Sequence, residues 1–185
     1  MMISPITHTW TIVAVLAVLA GVTPAAAQHA HGAPASESGL QAPEPLRIEH
    51  AAIHARLEAA LDAPGAVGTA ASELARVLAP HFERENQIAL PPLGLLASLA
   101  RGEAIPPDRA ARALAMTDSL RAELPGMLEE HVRIEAAARK LEHVAREHGD
   151  AEVEELAREL QLHARTEQEV TYPAAVLVGT LLRRR

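Results

Sequence analysis

The chain has no cysteine. Disulfides, thiolate zinc sites, cysteine-bound iron–sulfur clusters and cysteine nucleophiles are therefore excluded, and any metal must be held through nitrogen and oxygen. Aromatic residues are nearly absent too, with one Trp, one Tyr and one Phe in 185 residues. That composition disfavours a sheet. The formal charge is -7, which argues against a nucleic-acid partner bound through phosphates. No Gly-rich phosphate loop, Ser-His-Asp set or basic-aromatic patch stands out. Alanine and leucine are abundant instead, and both favour helix.

Residues 10–22 are almost wholly apolar and lead into Ala25-Ala26-Ala27. A short apolar run closed by an A-x-A site predicts a signal peptide spanning 1–27, cut after Ala27, and a periplasmic or secreted protein. The segment before the run has no Lys or Arg, so an uncleaved N-terminal anchor is the alternative. The leader has no twin-arginine pair, which implies export in the unfolded state and metal loading afterwards. Residues 28–45 are rich in Pro, Gly, Ser and Ala and predict a flexible tether, with His29 and His31 as solvated residues. No stable membrane span is expected once the leader is gone.

Residues 46–185 predict one all-α domain, an up-down-up-down four-helix bundle. Leu46, His50, Ile53, Leu57 and Leu61 form one stripe of a helix over 46–62, with His54 at its edge. A second helix over 69–89 turns Leu74, Val77, Leu78, His81, Glu85 and Ile88 inward and leaves Glu83 on the surface. Pro80 should bend it. A short extra helix is expected over 93–100. The third long helix covers 108–148, with Pro125 as a kink or break and Leu120, Leu124, Leu128, His131, Glu135 and Ala138 on one face. The fourth starts at Asp150, carries Val153, Leu156, Leu160, His163, Glu167 and Val170 inward, and closes at Tyr172-Pro173. Residues 174–182 predict a short C-terminal helix packed under the bundle, ahead of three arginines. His143 and His148 fall on the surface.

Three of the stripe histidines are followed four residues later by glutamate: His81–Glu85, His131–Glu135 and His163–Glu167. Positions i and i+4 share a helix face, so each pair aims two metal-ligand types at the core. In helices that run back along each other, residues equidistant from the turn lie at one height. The midpoints of His50/His81, His81/His131 and His131/His163 fall beside Gly65, in Ile105-Pro106-Pro107 and beside Gly149, all turn-forming. The counting therefore brings His50, His81, Glu85, His131, Glu135, His163 and Glu167 together. Seven buried ionisable groups require pairing or a cation. Seven donors exceed one tetrahedral ion and suit two six-coordinate ions sharing carboxylates. Surface His–Glu ion pairs on a metal-free bundle are the alternative.

At these residues the chain resembles the hemerythrin family in its broader form, the HHE cation-binding domain. The resemblance rests on Glu49-His50-Ala51-Ala52-Ile53, His81-Phe82-Glu83-Arg84-Glu85, His131-Val132-Arg133-Ile134-Glu135, and His163 to Glu167 followed by Tyr172-Pro173. It covers residues 44–180, and the ordered set of four motifs is what makes it specific. It implies a non-haem di-iron bundle with Glu85 and Glu167 as bridging carboxylates and His50, His81, His131 and His163 as terminal ligands. Manganese or zinc are alternative metals. Oxygen-carrying members have a histidine where this chain has Glu135, and an aspartate five residues after the fourth-helix histidine. Here Glu167 follows at four. Both departures point to the HHE branch, and an anionic ligand in place of a neutral one favours the ferric state.

The expected function is an exported iron-binding protein that binds, senses or reacts with dioxygen or a related small molecule, or handles iron. An oxidoreductase, ferroxidase or peroxide-reducing, is the alternative from another class, and a helical bundle without metal is the third.

Overall fold

A computed structural model describes residues 39–185. The leader, His29, His31 and most of the tether lie outside the described residues. Among the described residues six α-helices follow one another: α1 Glu44–Leu61, α2 Ala66–Ile88, α3 Leu96–Ala100, α4 Pro107–His148, α5 Ala151–Thr166 and α6 Tyr172–Leu182. A 3₁₀ turn, Pro91–Leu95, leads into α3, and a π turn, Glu167–Thr171, joins α5 to α6. Among the described residues there is no strand.

The four long helices pack in a ring. α1 lies against α2 and α5, and α4 lies against α2 and α5. The turns are built as the sequence suggests. Gly149 closes α4 at φ 72°, a left-handed conformation that glycine enters without a Cβ penalty. Asp150 then caps α5, its side chain accepting from the Val153 N–H at 3.2 Å. The last turn of α4 carries Arg146 and His148, and the first turn of α5 carries Glu152 and Glu154, each sign matched to the helix dipole.

Several expectations are corrected. α1 begins at Glu44 rather than 46, with Pro45 in its first turn, where a missing N–H costs nothing. Ala42 is buried beside Leu90 and Leu93, and Leu40 packs near Leu95 and Val178, so the end of the expected tether belongs to the core. α4 runs through Pro125 without a break. The buried residues of its C-terminal half are Met127, His131, Ile134, Ala138, Leu141 and Ala145. That is a four–three–four alternation, the spacing of a bundle seam. Leu124 and Leu128 flank the seam half-buried.

The fourth long helix does not close at Tyr172-Pro173. Pro173 has no N–H to return to Glu169, and the chain accommodates this by widening one turn: the Tyr172 N–H bonds to the Glu167 carbonyl, five residues back. The path continues as α6, which packs on α4. At that crossing Gly179 meets Thr117, and a Cβ at Gly179 would collide with the Thr117 hydroxyl. Val170, expected inside, is exposed, and Tyr172 is buried.

Apolar residues form two main clusters. One holds Leu57, Leu74, Leu78, Ile134, Leu141, Leu156 and Leu160. The other holds Ile88, Leu90, Leu93, Leu120, Met127 and Tyr172. Along α2 His81 and Glu85, and along α4 His131, fall where one cluster gives way to the other.

Candidate metal centre

His50, His81, His131 and His163, one from each long helix, are buried together with Glu85 and Glu167. Every ring turns Nε2 inward. His81 Nε2 lies 2.8 Å from His131 Nε2 and 3.4 Å from Glu85 Oε1. His131 Nε2 is 3.3 Å from Glu167 Oε2. On the other side of Glu167, His50 Nε2 and His163 Nε2 approach Oε1 at 3.3 and 3.0 Å. His50 Nε2 is also 3.9 Å from Glu85 Oε2.

Two groups capable of holding a metal ion result: an inner group of His81, Glu85, His131 and Glu167, and an outer group of His50, His163 and Glu167. Glu167 is common to both. Metal–ligand bonds of about 2.1 Å place neighbouring octahedral ligands about 3 Å apart, and all but the His50–Glu85 approach lie between 2.8 and 3.4 Å. Two buried atoms add to the fit. Glu85 Oε2 has no hydrogen-bond partner among the described residues, and neither does His163 Nε2 despite its closeness to Glu167. Both atoms face the cluster, where a cation would take their lone pairs.

The outward ring nitrogens of two histidines are fixed by carboxylates. His81 Nδ1–H donates to Glu130 at 2.8 Å, and His163 Nδ1–H donates to Glu49 at 3.0 Å. A partner of this kind holds the tautomer that leaves Nε2 free and orients the ring. His50 is placed differently, by stacking on Phe82 with ring centroids 4.1 Å apart.

Charge states in the cluster are pulled apart. Burial opposes charge on His163, but Glu167 and Glu49 outweigh it and push the ring up to about 9. His81 rises in the same way, burial being overcome by Glu85 and Glu130. Burial and the neighbouring Glu167 charge push Glu85 up. Glu167 is held well below its ordinary value: burial would raise it, and the neighbouring imidazoles of His131, His163 and His50 overcome that. Burial, Glu85 and Glu167 together keep the Tyr172 phenol protonated. Protons thus occupy positions that a cation would take.

Of the seven residues expected here, six converge. Glu135 does not. Its carboxylate turns outward and accepts from Arg139 at 3.0 Å, partly exposed. The reason is the seam of α4: after His131 the inward positions are Ile134 and Ala138, and Glu135 falls one residue off. His143, His148 and Glu83 are on the surface, as expected, and His54, expected at the edge of its stripe, is exposed too.

Three residues that stripe reasoning passed over stand at the site: Glu49, Glu130 and Tyr172. The signal for Tyr172 is the proline after it. In an unbroken α-helix a residue five positions on lies about 140° away from Glu167. The π turn spends five residues on one turn and returns Tyr172 to the Glu167 face, where it is 1% exposed. Its O–H donates to Glu85 Oε1 at 2.5 Å.

Comparison of the chain with protein-family models, with curated proteins and with solved structures finds no match.

Proposed function

We propose that this protein is an exported metal-binding protein, an up-down-up-down bundle of hemerythrin-like type, whose inner and outer groups together hold two non-haem iron ions. It binds, senses or reacts with dioxygen or a related small molecule, or handles iron. The observation that carries the reading is Glu167. One buried carboxylate presents Oε1 to His50 and His163 and Oε2 to His131, which is what a bridging ligand does. Glu85 supports it, with Oε1 toward His81 and Oε2 toward His50.

Four imidazoles and two carboxylates suit iron, and manganese or zinc would use the same donors. Iron bound there would supply redox chemistry toward dioxygen, peroxide or nitric oxide. The residues' own part is to hold that chemistry away from water. Leu and Ile side chains close both ends of the cluster, while Glu49 and Glu130 keep the Nε2 lone pairs of His163 and His81 turned inward. Access is on the outer side. A groove of about 330 Å³ between α1 and α5 reaches His163, and one of about 530 Å³ between α1 and α2 reaches His50.

The test is elemental analysis of the full chain after anaerobic loading with ferrous iron. About two irons per chain are expected, one for each group. One zinc, or no metal, overturns the reading. Catalytic loss of peroxide with an electron donor, above that of free iron, would convert the binding protein into the oxidoreductase alternative.

A further inference from the structure

Tyr172 is the chain's only tyrosine, and its position is not that of an ordinary buried phenol. A phenol has one hydrogen to donate and is satisfied by one acceptor. Here Oη stands 2.5 Å from Glu85 Oε1 and 3.2 Å from both His81 Nε2 and His131 Nε2. These are the three inner-group atoms that face one another, drawn from two different helices. The phenol oxygen is placed among them as they are placed among themselves. Its ring stacks on His131, with centroids 5.4 Å apart and planes at 14°, so the oxygen has little freedom to swing away.

The backbone is shaped to achieve this. The π turn lies between Glu167 and Tyr172 and brings both onto one face. Single π turns of this kind appear frequently at functional sites. The inner group also lacks the donor that Glu135 was expected to give, because that carboxylate is turned to Arg139.

We propose that Tyr172 supplies a phenolate oxygen as a ligand to the metal ion of the inner group, in the place Glu135 leaves unfilled. The proposal rests on the two-ion reading above. On binding, the phenol O–H gives its proton to solvent and the oxygen lone pair goes to the cation, as metal binding deprotonates other ligands. The protein then offers seven donor residues: His81, His131 and Tyr172 to the inner ion, His50 and His163 to the outer, and Glu85 and Glu167 between them. Three are anionic oxygens, which favour a hard, highly charged ion such as ferric iron.

The experiment is resonance Raman and visible absorption spectroscopy of the full chain, loaded with ferrous iron and oxidised in air, beside Tyr172→Phe. Iron is counted in both. A ferric phenolate gives a visible charge-transfer band, and excitation within it enhances tyrosinate ring modes. Wild type is expected to show both, and growth on ring-deuterated tyrosine should shift the ring modes, which only Tyr172 can produce. Tyr172→Phe should lose band and modes while still binding iron. A structural hydrogen bond to Glu85 would give no such band in either protein. Wild type that carries about two irons per chain without tyrosinate modes overturns the ligand and leaves the two-ion reading standing. Failure to bind iron overturns both. If Tyr172→Phe does not fold, the isotope shift in wild type decides alone.

Discussion

The inner and outer groups share Glu167 yet are built differently. The inner group has four donors, none more than 3% exposed, with the Tyr172 hydroxyl against three of them. The outer group has three donors, its two histidines are each 6% exposed, and each histidine lines a groove. The contrast separates holding from reaching. A fully enclosed donor set leaves a cation few open positions, whereas a set short of donors and close to solvent leaves room for an exogenous ligand. In the proposed centre the inner ion is therefore the anchor and the outer ion is where a small molecule arrives.

The largest effect falls where the groups meet. Glu167→Ala removes the shared carboxylate and is expected to take metal content from about two ions per chain to none, together with the thermal stabilisation that loading provides. Elemental analysis and paired melting curves would show it; an ion retained in this variant would mean the groups are independent. The next effect separates them. His131→Ala and His50→Ala should each leave about one ion per chain, lost from the inner and outer group respectively. The two should differ in the metal-free state. His131 is fully buried in α4, and truncation there opens a cavity costing roughly 2 kcal/mol, more than at His50 beside its groove. Equal denaturation midpoints would erase the distinction between an enclosed and an accessible group.

The sequence revealed much of this contrast and hid the rest for physical reasons. Helical periodicity and turn residues were enough to place His50, His81, His131 and His163 at one level, because helix length is a linear function of residue count. Spacing from a histidine does not by itself fix which face a residue takes. Glu135 and Glu167 both follow a histidine at i+4, but on α4 the buried face extends to the other side of His131, through Ile134 and Ala138, whereas on α5 it extends to the Glu167 side of His163, through Leu160 and Ala164. Only neighbouring helices decide that. Glu49 and Glu130 show a further limit. Each directly precedes one histidine of a group and bonds to the other: Glu49 precedes His50 and holds His163, and Glu130 precedes His131 and holds His81. The same dipeptide recurs at Glu142-His143 and Glu147-His148, both histidines being exposed, so the pattern acquires meaning only after folding. Tyr172 required knowing that a proline can widen a turn rather than end a helix.

Proton occupancy sharpens the comparison further. In the metal-free chain His163 rises from 6.5 to about 9 in the folded state. A histidine raised on folding contributes stability that is complete below its unfolded value and is lost as pH rises through its folded value. Metal-free protein should thus lose roughly 3 kcal/mol between pH 6 and pH 10, read by chemical denaturation. Metal-loaded protein should show no such loss, since the cation needs the Nε2 lone pair and gains as the proton leaves. A metal-free stability flat over that range would mean that His163 is uncharged beside Glu167 and Glu49.

Smaller effects are expected from the outer carboxylates. Glu130→Gln and Glu49→Gln keep a side chain of the same size and remove the anion behind His81 and His163. Each is expected to weaken metal affinity by about 10- to 100-fold without changing the number of ions bound at saturation. Titration against a competing chelator measures this. The two variants should act on different ions, Glu130→Gln on the inner and Glu49→Gln on the outer, and loss of the same ion in both would break the division.

The smallest effect is assigned to the residue the sequence made most conspicuous. Glu135 has a ligand's chemistry and a ligand's spacing from His131, but its partner is Arg139 on the exposed side of α4. An i,i+4 pair open to solvent contributes about 0.3–0.5 kcal/mol, and salt weakens it further. Glu135→Ala should therefore leave metal content unchanged and shift the denaturation midpoint only slightly, as removal of the equally spaced surface pair His54–Glu58 should. Loss of an ion in Glu135→Ala would return that carboxylate to the inner group. It would then compete with the Tyr172 oxygen for the same position, and the enclosed character of the inner group would have to rest on different donors.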